Sequence, residues 1–199
     1  MIAGVSRVCL FCGSNVGGRP AYAAAARELG HALAIRGMTL VYGGGSVGLM
    51  QVAAQAALDA GGKVVGVITE QLMMREVGHR GLTELHVVAT MHERKALMAK
   101  LSDAFVALPG GYGTFDELCE MATWDQLGIH AKPLVVVNLE GYFDGFLAQL
   151  DRGVADRLLK PEHRAMLATA SGVEQALAAM IAWQPPAVPQ WLLDAAPQP

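Results

Sequence analysis

The chain has 199 residues, 53% of them hydrophobic and 17% charged, a balance that suits one domain around a sizeable single core. The net charge of −3 supplies no basic footprint, which argues against a nucleic-acid partner. The Ala-rich run from Ala165 to Trp183 keeps a polar side of Ser, Glu and Gln, so no membrane span, and no membrane partner, is expected.

In chain order, the first apolar run contains Arg7 and has no basic region ahead of it. It reads as a strand and not as a signal peptide, and the expected compartment is the cytoplasm. Strands are predicted at 5–12, 38–42, 63–68, 84–88, 103–108 and 133–138, and helices at 19–36, 46–60, 91–101, 114–127, 141–152 and 173–183. The region 69–83 reads as an irregular excursion over the sheet edge. Runs such as Val64-Val65-Gly66-Val67-Ile68 are apolar on both faces, as in a parallel sheet covered on both sides. Strand–helix units repeated with right-handed crossovers then give an α/β fold: a doubly wound, mostly parallel Rossmann-like sheet with helices on both faces. Residues 1–183 form this single domain, and 184–199 are a proline-rich tail.

Cys9 and Cys12 form a C-x-x-C on a predicted strand, where that spacing sends the two side chains to opposite faces. They and Cys119 read as ordinary buried thiols. No residues have convincing metal-ligand spacing, His92 and His130 read as structural or peripheral, and no cofactor is called for.

Three turns after strands are rich in glycine: Cys12 to Gly18, Gly43 to Gly48, and Gly110 to Gly113. Parallel strands share a carboxyl edge, so these turns converge there, where ligands of such sheets bind. Ser14, Gly44 and Gly45 are candidate phosphate or ribose contacts. Gly43, Gly45 and Gly48 match G-x-G-x-x-G with Glu70 further on. That dinucleotide pattern follows the second strand, however, and is a minor alternative. In the third turn, Pro109-Gly-Gly-Tyr-Gly-Thr-Phe-Asp-Glu117, a glycine-rich loop opens a helix, a site for anions.

Glu117 arrives in the first helical turn on this reading, where the dipole favours its ionised form by about 0.3–1 kcal/mol. A bland account is available, because Thr114-x-x-Glu117 also has the form of a capping box. Arg94 interrupts a helical stripe formed with Met91, Met98 and Leu101, and a cation on such a stripe needs an anionic partner. Glu117, a phosphate, or both meet that need. Lys95 sits at the stripe's edge, either as a surface lysine or as a ligand contact.

Together these segments resemble the LOG ("lonely guy") family of cytokinin-activating nucleotide hydrolases, often mislabelled as lysine decarboxylases. The resemblance is carried by Phe-Cys-Gly-Ser at 11–14, Tyr-Gly-Gly-Gly-Ser-Val-Gly-Leu-Met at 42–50, Met-His-Glu-Arg-Lys-Ala at 91–96, the turn at 109–117 and Thr-Trp-Asp-Gln-Leu-Gly-Ile-His at 123–130. It implies hydrolysis of the N-glycosidic bond of a nucleoside 5′-monophosphate, with release of an adenine-type base and ribose 5-phosphate. It further implies Arg94 and Glu117 as the catalytic pair. Glu76, Arg94, Lys95, Gly111, Tyr112, Gly113, Thr114, Phe115, Asp116, Glu117 and Thr123 are the implied nucleotide contacts, and the implied assembly is a homodimer. The competing reading is a non-catalytic nucleotide carrier or sensor on the same fold.

Overall fold

The computed structural model describes residues 4–76, 78, 79 and 81–184, with Arg75 and Glu76 described by their backbone alone. The expected tail at 184–199 therefore lies outside the described residues except for Gln184. Seven strands make one sheet: β1 (Arg7–Phe11), β2 (Thr39–Tyr42), β3 (Lys63–Thr69), β4 (Glu84–Val88), β5 (Ala104–Ala107), β6 (Leu134–Val137) and β7 (Leu167–Ala170). Their order is β4-β3-β2-β1-β5-β6-β7, and every pairing is parallel.

The helices are α1 (Pro20–Ile35), α2 (Gly48–Asp59), α3 (Glu70–Glu76), α4 (Met91–Lys100), α5 (Tyr112–Gln126), α6 (Asp144–Ala155), α7 (Pro161–Ala165) and α8 (Val173–Ala182). Along β1, Val8 and Leu10 enter the core shared with α1, α2 and α8, whereas Cys9 and Phe11 enter the core shared with α4, α5 and α6. The alternation of a strand therefore splits one sequence run between two cores. Cys9 and Cys12 are buried on opposite sides as expected, but Cys119 is exposed and departs from that reading.

Two segments differ from the sequence expectation. Part of 69–83 is helical, as α3, with Thr69 Oγ1 accepting from Leu72 N at 3.2 Å across its first turn. A seventh strand and the short α7 follow α6; at four and five residues each, they are too brief to show a period. Among the described residues, no helix is long and apolar enough to cross a membrane, and no three His, Cys, Asp or Glu side chains group as metal ligands.

The chain winds outward from β1 to β4 and then returns to build β5, β6 and β7 on the other side. The strand order thus reverses between β1 and β5, and a crevice opens beyond their carboxyl ends.

Candidate functional site

The glycine turns meet at this crevice through backbone. Gly13 N donates to Pro109 O at 3.0 Å, and Leu49 N donates to Gly13 O at 3.0 Å. A Cβ on Gly48 would fall 2.2 Å from the Ser14 carbonyl carbon, and one on Gly110 would fall 2.0 Å from Thr114 Oγ1. These glycines exist because the turns touch. Gly44 is likewise explained within the chain: its φ is +73° and its missing Cβ would face Ile68 and Leu85. Gly45 is buried, and nothing in this setting adds support for either residue as a ligand contact.

Gly111 and Gly113 are different. Neither has a positive φ, and a Cβ on either would meet nothing within 4 Å. Among the described residues no contact requires a glycine at either position, and both leave backbone open to close approach from outside. A cleft of about 230 Å³ lies beside them, walled by Gly13 to Gly17, Tyr22, Leu49, Pro109 to Gly111 and Tyr142. Ser14 is among the lining residues. A larger concavity of about 870 Å³ lies elsewhere, between exposed residues of α1 and α2.

Helix α5 begins at Tyr112 with Gly111 as its N-cap, and no side chain caps it. This corrects the capping-box alternative. Thr114 is 2% exposed and its Oγ1 has no hydrogen-bond partner among the described residues, while Glu117 stands in the second turn. The capping box belongs to α4: Glu93 N donates to Thr90 Oγ1 at 3.1 Å and Thr90 N donates to Glu93 Oε2 at 3.1 Å.

That cap starts the helix which carries Arg94 inward. Arg94 is 6% exposed; its Nε donates to Val67 O at 2.9 Å, Nη2 to Gly43 O at 3.2 Å and Nη1 to Glu117 Oε1 at 3.3 Å. Gly43 makes room for it, since a Cβ there would sit 1.9 Å from Nη2. Beside the pair, Lys95, 8% exposed, donates to Asp116 Oδ2 at 3.0 Å and pairs with Glu120 Oε1 at 3.2 Å. It is no surface lysine. The buried stripe is Arg94, Lys95, Met98 and Ala99; Met91, assigned to it from spacing, is exposed.

Burial pushes the Glu117 carboxyl up to about 7 against the pull of Arg94, with Asp116 and Glu120 adding to the rise and Lys95 opposing it. The sequence reading keeps Glu117 ionised at a helix N-terminus; its burial works in the opposite direction. Desolvation outweighs the dipole, whose influence fades beyond the first turn.

The other expected contacts divide. Asp116 faces Lys95. Tyr112 is 96% exposed. Phe115 packs its ring against Phe143 and Phe146, with centroids 5.9 and 5.4 Å away, so it serves the core. Thr123 Oγ1 donates to Cys119 O, and the residue lines a pocket of about 150 Å³ with Leu118, Gln126, Phe146, His163 and Arg164, whose wall includes neither Arg94 nor Glu117. Glu76 ends α3, and its side chain lies outside the described residues. His92 is exposed, and His130 rests against the Phe105 ring. Sequence reasoning missed Glu120, whose spacing from Asp116 at i,i+4 was a usable signal, and Tyr142, for which the local sequence held none.

A family model described as "Possible lysine decarboxylase" matches residues 50–180. The chain is 51% identical over 174 residues to a protein of Oryza sativa subsp. japonica named "Probable cytokinin riboside 5'-monophosphate phosphoribohydrolase"; the match covers 87% of this chain and 78% of the relative. It is 48% identical over 169 residues to one of the Arabidopsis thaliana proteins named cytokinin riboside 5'-monophosphate phosphoribohydrolase, covering 85% and 79%. The chain belongs to the LOG family. Among solved structures, the LOG-family fold seen here is similar to that of the Moco carrier protein from Chlamydomonas reinhardtii. The TM-score is 0.66 at 23% identity, covering 88% of this chain and 94% of that one, a likeness of fold alone.

Proposed function

We propose that this protein hydrolyses the N-glycosidic bond of N6-prenylated adenosine 5′-monophosphates, releasing the free cytokinin base, or adenine from plain AMP, and ribose 5-phosphate. The observation that carries the reading is the buried contact of Arg94 with Glu117 at 3.3 Å, at the carboxyl edge where the glycine turns converge. The relatives' activity points the same way.

The chemistry follows from charge. Breaking the ribosyl C–N bond builds positive charge on the sugar, which the Glu117 carboxylate stabilises. The attacking water must lose a proton, and a carboxyl with a pKa of about 7 is poised to take it. Arg94 cannot exchange protons at neutral pH; held by two backbone carbonyls, it orients Glu117 and the substrate. The phosphate falls to the N–H groups of Gly111, Tyr112 and Gly113 at the start of α5, ahead of Thr114, whose buried hydroxyl has no partner among the described residues. Lysine decarboxylation fits poorly, since a pyridoxal enzyme needs a lysine free for a Schiff base and Lys95 is committed to two carboxylates.

The deciding experiment incubates the protein with AMP and isopentenyl-AMP and follows free base by chromatography, with Glu117→Gln alongside. Release by the wild type and its loss in the variant support the hydrolase. Binding without release by either protein supports the carrier reading instead. The same proposal takes the working unit to be a homodimer in the cytoplasm, and sedimentation velocity distinguishes one chain from two.

A further inference from the structure

The turn bearing the proposed phosphate donors is held by a residue far along the chain. Tyr142 lies 32 positions beyond Gly110, and its hydroxyl donates to the Gly110 carbonyl. A trans peptide is planar, so holding that C=O fixes the N–H of Gly111 in the opposite direction. Neither the Gly110 nor the Gly111 N–H has an acceptor among the described residues. The peptide joins two glycines: Gly110 is packed closely against Thr114 and Gly13, whereas around Gly111 the space is open, so at its Gly111 end the Tyr142 contact meets little steric help in holding the plane.

Tyr142 itself is firmly placed. It follows Glu140 and Gly141, both in the left-handed region with φ of 50° and 73°; such a conformation at a non-glycine residue persists where the surroundings over-determine it. Arg19 on the approach to α1 pairs with Glu140 at 2.5 Å. Asn138 Oδ1 accepts from Phe143 N at 2.7 Å while its Nδ2 donates to Asp144 at 2.7 Å. The Tyr142 ring meets Tyr22 and Phe143 edge-on, with centroids 5.6 and 5.1 Å away.

We propose that Tyr142 is a positioning residue for the anion-binding turn: its hydroxyl holds the Gly110–Gly111 peptide with the Gly111 N–H presented to the ligand's phosphate. This rests on the phosphate assignment made above. Tyr142→Phe removes the oxygen and keeps the ring contacts.

Calorimetric titration with ribose 5-phosphate should show binding about tenfold weaker in the variant, the loss of roughly one hydrogen bond to a charged group. KM for the monophosphate should rise by a similar factor with kcat changed less than twofold, while kcat/KM for the phosphate-free riboside stays put and the melting temperature falls by no more than a few degrees, the share of one hydrogen bond. Wild-type affinity for ribose 5-phosphate in Tyr142→Phe overturns the proposal, as do equal losses on ribotide and riboside. Should the wild type bind ribose 5-phosphate but release no base, the hydrolase reading fails and the titration still decides Tyr142. A wild type that does not bind ribose 5-phosphate overturns the phosphate assignment and this proposal together.

Discussion

At Glu117 two effects of one burial oppose each other. Its folded pKa of about 7 lies above the ordinary 4.5, so the group adds stability below about pH 4.5 and loses it as pH rises through about 7, on the order of 3 kcal/mol in all. Melting curves at pH 5 and pH 8 should therefore show the wild type losing more stability than Glu117→Gln over that interval. If Glu117 acts as the base, kcat/KM rises with pH along an acidic limb near 7, and Glu117→Gln lowers turnover by roughly 10²–10⁴-fold. A pH–rate profile without that limb removes the base assignment. At Gly43, a Cβ would sit 1.9 Å from the Arg94 guanidinium. Gly43→Ala should thus displace Arg94 and abolish activity in a protein that circular dichroism shows to be folded.

At the scale of helices, α4 and α5 divide the work. The Thr90–Glu93 box starts α4 four residues ahead of Arg94; Thr90→Ala should cost about 1 kcal/mol of stability, read by urea titration, and lower kcat by loosening Arg94. In α5, Gly113 is a helical residue with open space where its Cβ would be. Gly113→Ala should stabilise the fold by up to about 1 kcal/mol, because alanine is the better helix former. The same methyl group obstructs the proposed phosphate and should raise KM. A gain in melting temperature with unchanged KM would show that no ligand approaches there.

Across the whole molecule, the two edges of the sheet separate stability from chemistry. At the amino edge, Asp103 Oδ2 accepts from Ser6 N, Ser6 Oγ and Arg7 N at 2.9, 2.8 and 2.8 Å, pinning the entry into β1. Asp103→Ala should cost about 1–3 kcal/mol and lower the melting temperature while kcat and KM stay at wild-type values. The parallel sheet and its layered helices were legible in the apolar runs of β3, β5 and β6, which signal burial on both faces. β7 was not, since Leu-Ala-Thr-Ala has too few residues to show a period and pairs only because β6 lies beside it.

The sequence by itself determined that strands would converge three glycine turns on one edge, because strand and helix periods are local properties. Spacing left the partner of Arg94 open between Glu117 and a phosphate, and the resemblance alone implied the pair that the fold brings into contact. Only the tertiary structure decided that α5 begins at Tyr112, that Lys95 is enclosed by Asp116 and Glu120, that burial lifts Glu117 toward neutrality and that Tyr142 reaches back to Gly110. Desolvation and contacts between distant segments depend on which surfaces meet after folding, and no window along the chain contains them.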